Sequence, residues 1–519
     1  MYLTQAVKRA VQINGGGIAS ICADRTRTWA EFQERIARLA SALHGLGCGD
    51  NDRAAVLALN SDRYFEFFYG VPWAGCVFVP INIRLAPPEV EFWLNDSGSR
   101  VLMVDDQFLP TVRALEGKLE TVEHVVYIGD GETPEGLLSY ESLLAAAEPV
   151  ADAARGYDDL AGLFYTGGTT GRSKGVMLSH RNLVMNSFNV LPTFQFQPDM
   201  RWLHAAPMFH IADGCATFGV TTVAGTHVFI PAFSPDGTLD AVQRHGVTDT
   251  LLVPTMVNML VNSPNVGEFD LSTLRSIVYG ASPMPEAVIV KAMDVMPDCG
   301  FTHAYGQTEC APLVTATGPE FHVLEGPHAG RFKSAGRAVA GVELKIADED
   351  GKEVPRGEIG EVCSRGPHVM QGYWQRPDLT AEAVKDGWMH SGDAGYMDEE
   401  GFIYIVDRVK DMIISGGENI YSAEVENALY QHEAVVECAV IGIPNDKWGE
   451  AVHAVVRLHE GQEASEEALI AHCRELIAGF KCPRSVSFRG EPMPLSGAGK
   501  ILKTDLRTPF WEGRDKAVN

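Results

Sequence analysis

The sequence has 519 residues, with 42 Lys and Arg against 68 Asp and Glu, and its formal net charge at pH 7 is −26. This acidic balance argues against nucleic acid as a bulk partner, because contact with a phosphate backbone needs a basic surface. The hydrophobic content of 45% is ordinary for a globular chain of this length, for which about two to four domains are expected.

The cysteines and the apolar runs indicate the cellular compartment in which the protein is expected. Ten cysteines are scattered along the chain, without a C-x-x-C pair or a Cys/His spacing typical of metal sites. This pattern predicts reduced, mostly buried thiols in a cytoplasmic protein. No apolar run approaches the ~20 residues that cross a bilayer, and we expect no signal peptide because the first residues lack a long apolar region.

The first part of the chain alternates short apolar strands with amphipathic helices. Thr28 and Glu31 have the spacing of a capping box, which predicts a helix that ends at 45–49. An aromatic-rich helix contains Tyr64, Phe65, Phe67 and Phe68, which we expect in the core. The alternation predicts a parallel α/β sheet, with strands at 53–59, 76–81 and 100–104 and a further helix near 88–94.

The stretch 165–175 reads Tyr-Thr-Gly-Gly-Thr-Thr-Gly-Arg-Ser-Lys-Gly. Its glycines let backbone amides approach a ligand, and its hydroxyls and lysine add donors, so that the segment suits a phosphate. A predicted strand at 160–165 and a helix at 182–189 would place it where helix N-termini hold anions. It differs from the Walker loop, because Lys174 precedes its glycine. A flexible surface turn is the alternative interpretation.

The α/β pattern continues and then changes. Strands are predicted at 203–206, 227–231, 250–253 and 276–279, with helices at 240–245 and 255–261. Residues 335–405 are rich in glycine and short alternating runs, which suits antiparallel strands or a small barrel.

A charged segment at 407–411 ends this large unit. Beyond it, helices at 422–431 and 465–478 and strands at 437–441 and 452–458 indicate a small α+β domain. We therefore predict an N-terminal domain of residues 1–407 and a C-terminal domain of residues 408–519.

The segment 303–309 places an aromatic residue beside a glycine. Tyr305, next to Gly306, offers a flat ring for stacking on a base, and Thr308 supplies a hydroxyl. A lone carboxylate near a triphosphate suits Mg²⁺, which is one interpretation of Glu309; a solvated glutamate in a turn is the other.

Three later segments carry further candidate residues. Asp393, after Ser-Gly, has the short carboxylate that accepts hydrogen bonds from both ribose hydroxyls, and Arg408 is positioned to share that task or to form a surface salt bridge. The glycine-rich turn at 415–421 would let a narrow ligand chain pass close to backbone, or is a simple loop. Lys500 ends the turn Pro-Leu-Ser-Gly-Ala-Gly-Lys and has basic neighbours; simple solvation is the alternative.

In this order, the five motifs resemble those of the adenylate-forming superfamily, which includes acyl- and aryl-CoA ligases, peptide-synthetase adenylation domains and beetle luciferases. The likeness covers nearly the whole chain, and residues 407–421 are closest in style to bacterial acyl-CoA ligases. It implies a large domain of two parallel α/β sheets plus a small β-barrel, with a small mobile α+β domain. It also implies an ATP-dependent, AMP-forming acid:CoA ligase that works through an acyl-adenylate, with Mg²⁺ and coenzyme A.

The resemblance also implies roles for individual residues. Gly168 stands where the superfamily usually has a serine, and Cys482 where a basic residue is frequent. Lys500, Thr308 and His210 are the expected catalytic residues, Lys410 the hinge, and Glu309 and Thr169 the metal-binding pair. The expected ATP-binding residues are Thr166, Gly167, Gly168, Thr169, Thr170, Gly171, Lys174, Gly280, Ala281, Ser282, His303, Tyr305, Gly306, Asp393 and Arg408, and those for CoA are Gly416, Gly417, Glu418, Trp448 and Lys481.

The acid pocket is expected around Phe209 and His210, with 278–282 and Tyr305 as neighbours. His210 would gate the pocket or be a satisfied core histidine. Because the flanking Cys215, Phe218 and Val220 are apolar and no Lys or Arg stands nearby in sequence, we expect a hydrophobic monocarboxylate: a medium- or long-chain fatty acid, or an aryl or arylalkanoic acid.

Two other functions are kept as alternatives to the CoA ligase. One is an acyl-adenylate former that loads a carrier-protein thiol, although the chain has no carrier domain of its own. The other is a nucleotide-binding sensor that has lost its chemistry, against which Lys500 and Glu309 argue. Members of the superfamily are often dimers, so the resemblance makes a homodimer one possible assembly.

Overall fold

The structure is a computed structural model, which describes residues 1–166, 173–408, 412–415, 418–445, 447–497 and 499–512, with backbone only for Arg408. Within these ranges the α-helices are α1 (Gln5–Asn14), α2 (Trp29–Gly45), α3 (Asp62–Trp73), α4 (Pro87–Ser97), α5 (Leu109–Ala114), α6 (Tyr140–Ala146), α7 (His180–Thr193), α8 (Ile211–Val223), α9 (Pro235–His245), α10 (Pro254–Val261), α11 (Glu286–Val295), α12 (Pro377–Ala383), α13 (Ser422–Tyr430), α14 (Glu466–Leu476) and α15 (Lys503–Trp511).

The strands of the same ranges form four sheets. In chain order they are β1 (Ile18–Cys22), β2 (Arg25–Thr28), β3 (Arg53–Leu57), β4 (Val77–Pro80), β5 (Ser99–Val104), β6 (His124–Tyr127), β7 (Leu138–Ser139), β8 (Leu160–Thr166), β9 (Lys174–Ser179), β10 (Arg201–His204), β11 (Thr226–Phe229), β12 (Asp249–Leu252), β13 (Ser276–Gly280), β14 (Gly300–Gly306), β15 (Leu313–Thr317), β16 (Arg337–Ala338), β17 (Glu343–Ala347), β18 (Gly360–Arg365), β19 (Gly372–Tyr373), β20 (Val384–Lys385), β21 (Trp388–Met397), β22 (Ile403–Arg408), β23 (Ile413–Ser415), β24 (Glu418–Ile420), β25 (Val435–Asn445), β26 (Gly449–Leu458) and β27 (Ser485–Phe488).

Two large sheets make up most of the N-terminal part. The eight-stranded sheet has the order β19-β9-β8-β4-β3-β5-β6-β7 and is parallel from β8 to β7. The nine-stranded sheet has the order β16-β15-β14-β13-β12-β10-β11-β1-β2 and is parallel from β14 to β1. The prediction of two parallel α/β sheets is confirmed.

The aromatic helix α3 joins the two sheets. All of its residues are buried. The ring of Phe68 packs edge-on against Phe78 of β4 and Phe218 of α8, while Phe65 lies against Phe229 of β11. These contacts place the aromatic residues in the core, as predicted, and they also bury Phe218 there rather than leaving it to line a pocket.

The capping box of α2 is present as predicted. The Thr28 hydroxyl accepts from the Glu31 amide at 3.2 Å, and the Glu31 carboxylate accepts from the Thr28 amide at 2.7 Å. Two orphan amides of the first turn are thereby satisfied, which fixes where the helix begins.

The later β-rich segment divides its strands among three sheets. Strands β17, β18, β21 and β20 pair antiparallel in that order, and β22 pairs with β21. The predicted antiparallel pairing is therefore confirmed. Strands β16 and β19 leave this sheet and extend the two large ones, so the segment ties the N-terminal part together.

The C-terminal part is a separate α+β unit. Its sheet has the order β24-β23-β26-β25, with β27 parallel to β26. Helices α13 and α14 cover it around a core that includes Val425, Val440, Val452 and Leu469. The predicted helices and strands of this unit are present, whereas β23, β24, β27 and α15 were not predicted. The boundary between residues 407 and 408 stays a prediction.

The cysteines have the predicted state. All ten are free, and nine of them are buried. Within the described parts of the chain, no helix combines the length and apolar character of a membrane span.

Candidate active site

The glycine-rich segment connects two antiparallel strands. Strands β8 and β9 pair so that Thr166 lies opposite Lys174, and α7 begins only at His180, capped by the Ser179 side chain. The predicted strand-to-helix turn is therefore wrong, because residues 174–179 extend the hairpin before the helix starts. Gly167, Gly168, Thr169, Thr170 and Gly171, all predicted to bind phosphate, lie outside the described residues.

Tyr373 links two residues that the sequence analysis treated separately. The Lys174 ammonium lies 4.7 Å from the centre of the Tyr373 ring, and the Tyr373 hydroxyl donates to Glu309 Oε1 at 2.8 Å. Burial raises the pKa of Tyr373, so its hydroxyl keeps the proton that it donates. Lys174, predicted to bind phosphate, and Glu309, the candidate metal carboxylate, therefore belong to one cluster. The sequence analysis missed Tyr373, since strand β19 reaches the site only by pairing with β9.

Two glycines allow β13 and β14 to end close to neighbouring backbone. A Cβ atom on Gly280 would lie 2.1 Å from the Ala304 carbonyl oxygen, and one on Gly306 would lie 1.8 Å from that of Pro312. Ala281 has a left-handed φ of 69°, which costs free energy for a residue with a Cβ atom. Ser282 follows the end of β13 and Tyr305 lies on the neighbouring strand β14; both residues are half-buried.

The residues predicted for the base and the ribose are joined by a hydrogen bond. Tyr305 donates its hydroxyl to Asp393 Oδ2 at 2.7 Å, and the Asp393 amide donates to Ser391 Oγ at 3.0 Å. Burial, followed by the nearby Asp393 charge, raises the pKa of Tyr305 well above its usual value. Asp393 also faces Arg408 across the β21–β22 ladder, so the structure brings the predicted ribose pair together at the level of the backbone.

His303 is fixed in one tautomer. Its ring stacks on Tyr279 with centres 4.9 Å apart, and Nδ1 donates to the Ser334 carbonyl at 2.8 Å. Burial lowers the pKa of His303, so the ring is neutral. Its other nitrogen is therefore an acceptor.

His210 caps the helix that carries the predicted acid-binding segment. Its Nδ1 accepts from the Ala212 amide at 3.2 Å, which leaves the proton of the neutral ring on Nε2. Burial and the positive charge of Lys500 lower the pKa of His210 to about 3. The adjacent Phe209 is buried. Thr308, also buried, opens the short 3₁₀ turn Thr308–Cys310.

Lys500 belongs to a small closed turn that contacts the N-terminal part. The Ser496 amide donates to the Lys500 carbonyl at 2.7 Å, and the Lys500 amide donates to Ser496 Oγ at 3.1 Å. Thr255 donates its hydroxyl to the Gly499 carbonyl at 3.0 Å. The positive charge of Lys500 contributes to the lowered pKa of His210, which begins the predicted acid-binding segment.

The candidate CoA residues are on the C-terminal part. Trp448 is half-buried, with the Arg484 guanidinium 5.0 Å and the Lys447 ammonium 4.6 Å from its ring. Lys481 is held by both oxygens of Glu424 at 2.8 Å. Cys482 is buried in the domain core, which explains why a basic residue is absent there. Glu418 is exposed on β24, whereas Gly416, Gly417 and the predicted hinge Lys410 lie outside the described residues.

Sequence analysis missed a buried polar chain that holds helix α8 on its sheet. His204 Nδ1 lies 2.7 Å from Asp213 Oδ2, and His204 Nε2 lies 2.9 Å from His227 Nδ1. His227 Nε2 lies 3.2 Å from the hydroxyl of Thr221. All four side chains are inaccessible to solvent. The two histidines come from adjacent parallel strands, a pairing that no local pattern indicates.

Comparison with known proteins supports the resemblance to adenylate-forming enzymes. The AMP-binding enzyme family matches residues 7–374, and the AMP-binding enzyme C-terminal domain matches residues 424–500. The feruloyl-CoA synthase of Amycolatopsis sp. is 41% identical over 486 residues, which cover 93% of this chain and 94% of that protein. The fatty acid–[acyl-carrier-protein] ligase ScoC of Streptomyces coeruleorubidus is 36% identical over 510 residues, which cover 96% and 95%.

A solved structure extends the similarity to the fold. The anthranilate CoA ligase AuaEII in complex with anthranoyl-AMP superposes with a TM-score of 0.91 at 28% identity, and the alignment covers 98% of this chain and 97% of that one. ATP and CoA are the substrates of AMP-forming CoA ligases. The chain belongs to the AMP-binding enzyme family and is an acid–thiol ligase, an acyl-CoA synthetase of the adenylate-forming superfamily.

Proposed function

We propose that this ligase activates a hydrophobic aryl monocarboxylic acid, with arylpropenoic acids such as ferulate as the leading class. The 41% identity to a feruloyl-CoA synthase over nearly the whole chain is the observation that carries this choice. The sequence 207–224, which contains His210, has no Lys or Arg. A second carboxylate on the substrate would therefore find no cation on this segment.

The adenylation step would use Lys500, Thr308 and His210. The substrate carboxylate attacks the α-phosphorus of ATP, pyrophosphate leaves, and Lys500 and Thr308 donate to the oxygens on which charge develops. His210 carries its proton on Nε2 and is neutral, which suits it to donate a hydrogen bond near the substrate carboxylate without competing as a cation.

The nucleotide and the metal would be held by groups around Tyr373 and Asp393. Asp393 would accept from the ribose hydroxyls, while Lys174 and the hairpin segment would face the β- and γ-phosphates. Glu309 supplies hard carboxylate oxygens, and only Oε1 is given a hydrogen bond by Tyr373, so its chemistry fits Mg²⁺. When bound, Mg²⁺ would neutralise phosphate charge.

The thioester step would follow a rotation of the C-terminal domain about Lys410. The 415–421 turn would then line a channel for pantetheine, and the CoA thiol would attack the acyl carbonyl and release AMP. The Lys447 and Arg484 cations that lie over the Trp448 ring support a nucleotide contact there. In contrast, Lys481 is already engaged by Glu424, so it would have to exchange partners to meet a phosphate.

The experiment is an acid panel with purified protein, ATP, Mg²⁺ and CoA. The panel contains ferulate, cinnamate, benzoate, phenylacetate, hexanoate, palmitate and a dicarboxylate. We expect AMP, pyrophosphate and a CoA thioester, with the highest kcat/KM for arylpropenoic acids and the lowest for the dicarboxylate. A preference for palmitate would contradict the aryl assignment, and no ATP cleavage with any acid would contradict the ligase itself.

A variant tests the role of Lys500. Lys500→Ala should lower acid-dependent pyrophosphate exchange by about 10²–10³-fold, the scale for one fixed electrostatic donor, while thioester formation from supplied acyl-AMP is largely retained. The matched control is Lys352→Ala, which removes an exposed lysine and should change neither step. Equal loss in both steps would show that Lys500 acts otherwise.

A second candidate acceptor is a carrier-protein thiol, which the similarity to ScoC favours. Replacing CoA by a holo carrier protein in the same assay separates the two acceptors. Faster transfer to the carrier than to CoA would select this candidate. We also propose a homodimer in the cytoplasm, for which sedimentation and cell fractionation are the direct measurements.

A further inference from the structure

We propose that Thr255 and Arg84 are positioning residues for the adenylation step, because they hold the turn that carries Lys500. This inference rests on the proposed role of Lys500. Neither residue needs to touch the substrate. Both act on the backbone of the segment 494–501, here called the lysine turn.

Two hydrogen bonds join the N-terminal part to the lysine turn. Thr255 Oγ1 donates to the Gly499 carbonyl at 3.0 Å, and Arg84 Nη1 donates to the Ser496 carbonyl at 2.6 Å. Thr255 lies in the first turn of α10, which packs on the nine-stranded sheet, whereas Arg84 follows β4 of the eight-stranded sheet. The turn is therefore fastened from two sides.

The lysine turn transmits this fixation to Lys500. It is closed by the Ser496–Lys500 backbone bond and by a bridge between Leu495 and Ile501. Gly499, whose carbonyl Thr255 binds, is the residue immediately before Lys500. Because the turn is closed on itself, fixing its carbonyls also fixes the Cα atom from which the lysine side chain extends.

The fit between the turn and its seat is close. Gly499 has a φ of +80°, and a Cβ atom there would lie 2.9 Å from Val253 Cγ2. A Cβ atom on Gly497 would lie 2.4 Å from the amide of Asn82. One turn further along α10, Asn258 donates to the Val436 carbonyl of the C-terminal sheet at 3.2 Å. Helix α10 therefore contacts both the lysine turn and the body of the domain that carries it.

These bonds belong to one arrangement of the two domains. A side chain of the N-terminal domain binds a carbonyl of the C-terminal domain in each case, so rotation that withdraws Lys500 must break them. A group that binds only one of two conformations shifts the population toward it. Removing these bonds should therefore weaken adenylation and leave the thioester step unchanged or faster.

The test compares the two half-reactions in the full-length enzyme. Thr255→Val removes the hydroxyl with little change of shape, and Thr255→Ser restores it. We expect Thr255→Val to reduce acid-dependent pyrophosphate exchange roughly 3- to 10-fold, the factor for one hydrogen bond. Thr255→Ser should stay near wild type, and Thr255→Val with Arg84→Met should lose more. Thioester formation from supplied acyl-AMP should not fall in any of them.

The control is Thr273→Val. The hydroxyl of Thr273 donates to the Val247 carbonyl at 2.9 Å inside the N-terminal part. Thr273→Val therefore removes an equivalent hydrogen bond away from the lysine turn and should leave pyrophosphate exchange unchanged. Wild-type exchange in Thr255→Val, an equal fall in both half-reactions, or an equal fall in Thr273→Val would each overturn the inference.

Lys500→Ala separates this inference from the proposed function. If Lys500→Ala keeps full exchange, the proposed role of the lysine fails and the inference fails with it. If Lys500→Ala loses exchange while Thr255→Val does not, only the positioning role is wrong.

Discussion

At the scale of single residues, the bond between Tyr305 and Asp393 sets the geometry of the proposed ribose site. Tyr305→Phe keeps the ring for stacking but removes the donor to Asp393 Oδ2. We expect the KM for ATP to rise roughly 3- to 10-fold with kcat little changed, because a lost hydrogen bond typically costs about 0.5–1.5 kcal/mol. Steady-state kinetics with saturating acid and CoA measure the effect.

The control for this prediction is Tyr396→Phe. Tyr396 lies on β21 three residues after Asp393 and stacks on Tyr404 with ring centres 4.9 Å apart, so its substitution should leave the KM for ATP unchanged. A lower kcat with an unaltered KM in Tyr305→Phe would mean that the hydroxyl acts on the reaction itself and not on nucleotide binding.

At the scale of elements, the polar chain of Asp213, His204, His227 and Thr221 holds α8 on its sheet. Thr221 Oγ1 donates to the Thr217 carbonyl at 2.9 Å, so it accepts from His227 Nε2, and His227 Nδ1 in turn accepts from His204 Nε2. A further proton is then shared between His204 Nδ1 and Asp213 Oδ2. Asp213→Ala leaves His204 without its partner and creates a cavity, so we expect a loss of about 3–5 kcal/mol in the free energy of unfolding. Denaturant titration of the N-terminal transition gives this value.

The direction of the hydrogen bonds in this polar chain leads to a second prediction for α8. In Asp213→Asn the amide can donate to His204 Nδ1 while the other hydrogen bonds of the chain keep their direction, so most of the stability should return. Asp240→Ala is the control, because Asp240 forms an exposed pair with Arg244 worth less than about 0.5 kcal/mol. An asparagine variant as unstable as alanine would show that the chain requires the charge.

At the scale of the whole molecule, the fold class and the superfamily were predictable because each motif is a short local pattern. The β8–β9 hairpin was missed because β9 is a short apolar run between the glycine-rich segment and α7, and no strand was predicted there. Its strand identity depends on pairing with β8 and with β19, about 200 residues away. Tyr373, Thr255 and the His204–His227 pair were missed for the same reason, since their partners are distant in sequence.

The pH dependence of stability is also a property of the whole N-terminal part. Burial lowers the pKa of His180, His322 and His368 to about 4 each. In the unfolded chain these groups titrate near pH 6.5, so between pH 6.5 and 4 the unfolded state binds more protons and stability falls as the pH falls. Asp105 acts in the opposite direction, because burial raises its pKa to about 6, and it offsets about one histidine between pH 6 and 4.

We therefore expect these three histidines, less the offset of Asp105, to remove roughly 4 kcal/mol of unfolding free energy between pH 7 and pH 5, at about 1.4 kcal/mol per pH unit for each histidine. His210, whose pKa is lowered to about 3, adds to this loss. Denaturant midpoints followed by tryptophan fluorescence at several pH values measure this loss. His368→Gln should flatten the curve, because it removes one buried group that must be charged on unfolding, whereas replacing the solvent-accessible His245 should have a smaller effect. A stability that is constant from pH 7 to pH 5 would contradict the burial of three neutral histidines.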